Sequence, residues 1–130
     1  MTDTPPTTSA KKTVLVIEDD LFLIQAYKIK LEKENLEVWL ASDGAEARKM
    51  LEKEPPNVVL LDLMLPGISG FDILESIRKD SRWMNVPVLI LTNLGSPADI
   101  ERGQALKATD YIIKANTKIE DIMSKVKKFL

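Results

Sequence analysis

Five short apolar runs, each followed by a segment of helical periodicity, constrain this chain more than any other feature. TVLVI (13–17), LEVWLA (36–41), NVVLL (57–61), VPVLILT (86–92) and DYIIK (110–114) are the strand candidates, NVVLL the most hydrophobic of them. TVLVI, short and rich in β-branched residues, suits a strand buried on both faces. Between them apolar residues recur at helical spacing. Leu21, Ile24, Tyr27 and Leu31 form one stripe, expected to face inward, and Ala47, Met50 and Leu51 a second, halted by Pro55-Pro56. Phe71, Leu74 and Ile77 make a third, Ser96-Pro97 reads as an N-cap with proline in the first turn, and residues 119–130 carry a closing amphipathic helix. Parallel strands need crossover connections, so strand-then-helix repeated five times implies an α/β fold, a doubly wound five-stranded parallel sheet with helices on both faces.

A chain of 130 residues suits one domain with one sheet, placed here at residues 12–130. Residues 1–11, beginning MTDTPPTTSA, are Thr- and Pro-rich with little to bury, and are expected to be a disordered tail or residue left from cloning. A net charge of −2 argues against general nucleic-acid binding. With no cysteine and no histidine, disulfides, thiolate chemistry, Ser-His catalysis and imidazole metal ligands are all excluded, leaving carboxylates, lysines and hydroxyls. No signal segment or membrane-spanning run is present, and a cytoplasmic location without membrane insertion is expected. The chain ends one helix after the fifth strand, so output through protein contact rather than an attached DNA-binding module is expected.

Ligands of open parallel sheets bind beyond the carboxyl ends of the strands. There the sequence places Glu18, Asp19 and Asp20 after the first strand, Asp62 after the third, Thr92 and Asn93 after the fourth, and Lys114 after the fifth. If those strands are neighbours, the groups converge on one rim. Each residue alone has an ordinary reading: acids cap helices, a threonine turns the chain, a lysine is solvated. Together they form an acidic cluster whose mutual repulsion a hard divalent cation would relieve, and all-oxygen ligation favours Mg2+. Phosphoryl transfer asks mainly for positioning and charge balance, and an aspartate can accept the group. Asp62, alone at the end of the most apolar strand, is the candidate.

VLVIEDD, VVLLDLMLPGISGFDIL, VLILTN and DYIIK, in this order and spacing, resemble the receiver domains of two-component response regulators over residues 12–130. The resemblance implies the flavodoxin-like strand order 2-1-3-4-5. It implies Asp62 as phosphoacceptor, and Glu18, Asp19, Asp62 and the backbone carbonyl of Met64 as the Mg2+ set. Thr92 becomes the switch hydroxyl, Lys114 the lysine that pairs with Asp62, and Tyr111 the switch aromatic. Asp20 is assigned to helix capping. The partners implied are a sensor histidine kinase or phosphotransfer protein and a downstream protein target. They would be read through the face of the fourth helix, fifth strand and fifth helix, which could also support a weak homodimer of an otherwise monomeric protein. Autocatalysed phosphotransfer and slow autodephosphorylation would make it a switch rather than an enzyme.

In one place the sequence departs from the family. Lys114 is followed by Ala115 where members commonly carry a proline after a cis bond. A cis bond before a non-proline residue costs roughly 3–4 kcal/mol, yet a retained cis bond is expected here. The rival functions are an aspartyl-phosphate phosphohydrolase and a degenerate or engineered receiver that only binds. The first is disfavoured because Met64 stands where such enzymes place a second acid. Tyr111 could instead simply pack on the last helix, and Trp39 and Trp83 are expected to be structural.

Overall fold

The computed structural model describes residues 11–130, so the expectation of a disordered N-terminal tail lies outside the described residues. The elements run β1 (Thr13–Ile17), α1 (Leu21–Lys33), β2 (Glu37–Ala41), α2 (Gly44–Met50), β3 (Val58–Leu61), α3 (Gly70–Lys79), β4 (Val88–Thr92), α4 (Pro97–Ala105), β5 (Asp110–Ile113), a 3-10 turn at Lys114–Asn116, and α5 (Ile119–Lys127). All strand pairs are parallel and the order is β2-β1-β3-β4-β5. The expected flavodoxin-like doubly wound sheet is therefore what forms.

Strand side chains alternate faces, and this divides the interior in two. Leu15, Ile17, Val59, Leu61, Val88 and Ile90 point to the layer of α2, α3 and α4, where Phe71, Leu74, Ile77 and Trp83 complete a core. Val14, Val16, Val58, Leu60, Leu89 and Leu91 point to α1 and α5, meeting Tyr27, Leu31, Ile122, Met123 and Val126. β1, β3 and β4 thus bury both faces, which is why their sequences show no alternation. Trp83 is fully buried, and its indole N–H donates to the Lys53 carbonyl at 3.0 Å, the structural role expected of it. Trp39 is only partly buried, and its indole donates to Glu37 on the same strand.

Leu21 was expected on the inward stripe of α1 and is instead 73% exposed. The helix starts beyond the last residue of β1, so its first turn overhangs the sheet with nothing beneath it; Ile24, Tyr27 and Leu31 form the buried stripe. α2 stops at Met50, before Pro55-Pro56, leaving Met50 and Leu51 half-buried.

Candidate functional site

At the carboxyl rim the ladder holds its acids in place from behind. The amide of Asp62 donates to the Ile17 carbonyl at 2.9 Å and that of Glu18 to Ala41 at 3.0 Å, pinning the chain just past β3 to β1 and just past β1 to β2. Gly70 opens α3 directly against this point. A side chain there would run into the Asp62 carbonyl and Leu63, so only glycine lets the helix close over the end of β3. Gly67, at φ +84, makes the preceding turn.

Glu18 and Asp62 are 3% and 6% exposed, unusual for carboxylates. One oxygen of Glu18 accepts from the amides of Asp19 and Asp20, both at 3.1 Å, and the other takes Lys114 Nζ at 2.5 Å. The same ammonium donates to Asp62 at 2.9 Å, and the second Asp62 oxygen accepts from the Met64 amide at 3.1 Å. Burial pushes the Glu18 carboxyl above its ordinary value, against the pull of its hydrogen bond to Lys114. Burial by itself would lower Lys114, but its bonds to Glu18 and Asp62 outweigh that and hold the ammonium charged above its usual range.

Glu18, Asp19 and Asp62 each bring a carboxylate oxygen to a common point, the three lying within 4.8 Å of one another. Two buried acids on one lysine, with the exposed Asp19 beside them, leave excess negative charge at the rim, and this all-oxygen set fits Mg2+. Asp20 stands apart, accepting from the amides of Phe22 and Leu23 as the N-cap of α1, the role assigned to it from sequence. Met64 meets the site here through its amide, and its side chain is exposed.

Thr92 ends β4 fully buried, one strand from Asp62, with its hydroxyl accepting from the Leu94 amide at 3.3 Å. Tyr111 on β5 donates its hydroxyl to the carbonyl of the same Leu94 at 2.5 Å. The two expected switch residues thus both bond the backbone of Leu94, one at its amide and the other at its carbonyl. The Tyr111 ring lies under α4 at Gly103, where even a methyl group would press on it, so it does not pack on the last helix.

The expected cis bond is absent, since no cis peptide occurs among the described residues and Lys114-Ala115 is trans. Without the tertiary amide of proline, a secondary amide keeps its preference of roughly 3–4 kcal/mol for trans. Lys114 reaches both acids all the same. From sequence, Gly70 had no stated role, Asn93 was placed at the rim without a partner, and Tyr27 was expected only on the inward stripe of α1. Gly70 had a signal in the Pro-Gly-Ile-Ser-Gly loop. Tyr27 looked like a core residue, yet its phenol is buried near the rim with no hydrogen-bond partner among the described residues, and burial pushes it up to about 12.

A five-stranded parallel sheet in this order defines the flavodoxin-like fold, here with carboxylates and a lysine converging on its carboxyl rim. The sequence profile described as the response regulator receiver domain matches residues 14–127, and the chain belongs to that family. Among curated relatives, a probable transcriptional regulator ycf27 from Guillardia theta is 38% identical over 104 residues, 80% of this chain and 40% of the relative. A CheY-like receiver domain protein from Methanospirillum hungatei JF-1 superposes with a TM-score of 0.84 at 27% identity, covering 92% of this chain and 93% of that one. The receiver domain of sensor histidine kinase PA1611 from Pseudomonas aeruginosa PAO1, described with a magnesium ion coordinated in its active site cleft, shares the fold with a TM-score of 0.82 at 23% identity, covering 92% and 98%. The chain spans about half the length, or slightly less, of the curated relatives it matches, several of them transcriptional regulators. Receiver domains are signalling switches that work with histidine kinases and downstream effectors. Among the described residues no helix is long and apolar enough to cross a membrane.

Proposed function

We propose that Asp62 accepts a phosphoryl group from a phosphohistidine of a kinase or phosphotransfer protein, in a site completed by Mg2+. The observation that carries this reading is the convergence of Glu18, Asp19, Asp62 and Lys114 on one rim from three separate strands. Glu18, Asp19 and Asp62, with the Met64 carbonyl, would hold the ion, which would supply charge neutralisation for the acids and the incoming phosphoryl oxygens. One Asp62 oxygen forms the bond to phosphorus as the bond from phosphorus to the donor nitrogen breaks. Lys114, already on Asp62, turns its ammonium to the new phosphoryl oxygens. The Thr92 hydroxyl leaves the Leu94 amide for the same group and, through the backbone of Leu94, loosens the bond from Tyr111. The α4-β5-α5 face then differs between the two states and is read by a partner protein. Met64 offers no general acid, which supports a slow switch over a turnover enzyme.

Incubation with acetyl phosphate and Mg2+ should add the mass of one phosphoryl group at Asp62, acid-stable and base-labile. The adduct should vanish without the metal and in Asp62→Asn. An unmodified wild type, or an equal adduct in Asp62→Asn, would reject the reading.

A further inference from the structure

Thr92 pairs with Ile113 at the last rung between β4 and β5, so no ladder bond joins the chain beyond it. The next two residues are Asn93 and Lys114. Here a side chain continues the tie: the Asn93 carboxamide oxygen accepts from the Ala115 amide at 3.1 Å. Residue 115 can donate because it is alanine, whereas proline has no N–H. The 3-10 turn that Lys114 opens has no side-chain cap and is otherwise held from behind, where Thr117 donates its hydroxyl to the Ile113 carbonyl at 3.0 Å. Lys114 must span from β5 past β4 to acids at the ends of β1 and β3. A lysine stem is flexible, so the placement of its backbone decides whether the ammonium arrives.

Building on the reading of Asp62 as phosphoacceptor, we propose that Asn93 is a positioning residue that clamps the Lys114 loop to the Thr92 loop through the Ala115 amide. The clamp does for a trans Lys-Ala loop what backbone rigidity would otherwise have to do. It also ties the residue after the switch hydroxyl to the residue after the lysine, so the two loops move together.

The test uses the full chain with Asn93→Ala, Ala115→Pro and both together. Asn93→Ala should speed hydrogen exchange of the Ala115 amide and broaden the Lys114 ammonium signal in NMR. It should slow phosphorylation by acetyl phosphate at saturating Mg2+ about two- to ten-fold, the range of one net hydrogen bond. Magnesium affinity, measured by calorimetry, should not fall, because the acids stay where they are; general damage to the rim would lower it. Asn93→Asp keeps the acceptor oxygen and should keep the Ala115 amide protected. On the Ala115→Pro background, which offers nothing to grip, Asn93→Ala should have no further effect. Unchanged Ala115 exchange and Lys114 signal in Asn93→Ala, or an equal slowing on the proline background, would overturn the clamp. Should the wild type take no phosphoryl group, the phosphoacceptor reading fails, while the two NMR measurements still decide the clamp.

Discussion

The two ends of the sheet each draw in a cation, and they treat it oppositely. At the amino end, Arg78 of α3 donates to the carbonyls of Val86 at 2.7 Å, Lys107 at 2.9 Å and Met84 at 3.2 Å, and to the Thr109 hydroxyl at 3.4 Å. Its partners are neutral and all three of its guanidinium nitrogens donate, so it fastens the end of α3 to the approaches of β4 and β5. At the carboxyl end, Lys114 meets two buried acids with Asp19 close by. One end is a finished clasp. The other carries more negative charge than its cation can balance, which is a cost for folding and an opening for a ligand. A charge buried among satisfied partners reads as architecture, and one left unbalanced at a rim reads as a site.

That contrast can be broken most decisively at Asp62. Asp62→Asn should abolish phosphoryl uptake while leaving the melting temperature equal or higher, because one of three crowded acids is neutralised; calorimetry that shows a clear loss of stability would remove the claim of repulsion. Arg78→Ala should do the reverse. Leaving several carbonyls without their donor should cost about 2–4 kcal/mol in urea unfolding, with magnesium affinity unchanged.

Magnesium itself sharpens the comparison. A ligand that binds only the folded state at a hundred times its dissociation constant adds about 2.7 kcal/mol, so Mg2+ should raise the melting temperature of the wild type and of Arg78→Ala alike. The shift should shrink in Glu18→Gln.

The smallest effect lies in alkali. Lys114 is raised above its ordinary 10.5 and Tyr27 to about 12 from 10.0, so the folded chain holds both protons more tightly than the unfolded one. Their contribution to stability is fully present below pH 10 and is lost as pH rises through the raised values. Tyr27→Phe should flatten the part of this loss between pH 10 and 12, and tyrosinate absorbance of the native chain should appear only above pH 10. Ionisation of both tyrosines near 10 would contradict the burial of the Tyr27 phenol.

Much of this was legible in the letters. The strands showed because β3 and β4 bury every residue, a pattern only a two-sided core imposes. Asp62 showed because an acid ending such a strand has no packing reason to be there. Failures fell at boundaries. Leu21 keeps the helical spacing of its stripe but overhangs the sheet, and periodicity does not reveal where the neighbouring strand ends. The Lys114-Ala115 bond was expected from the family's habit and follows instead the local chemistry of a secondary amide. Asn93 was placed at the rim without a partner, since the one it has lies 22 residues away past another strand's end.

By itself, the order of apolar runs and periodic segments determined a parallel doubly wound sheet, because strands hidden on both faces and joined by helices have few other ways to pair. The same letters fixed which donors exist: oxygens and amines, with no thiol or imidazole. What only the folded chain decided is which of those donors meet. Strand order sets β1 beside β3 and brings β5 within a lysine's length of both, and distances between side chains follow from that order rather than from their spacing along the chain.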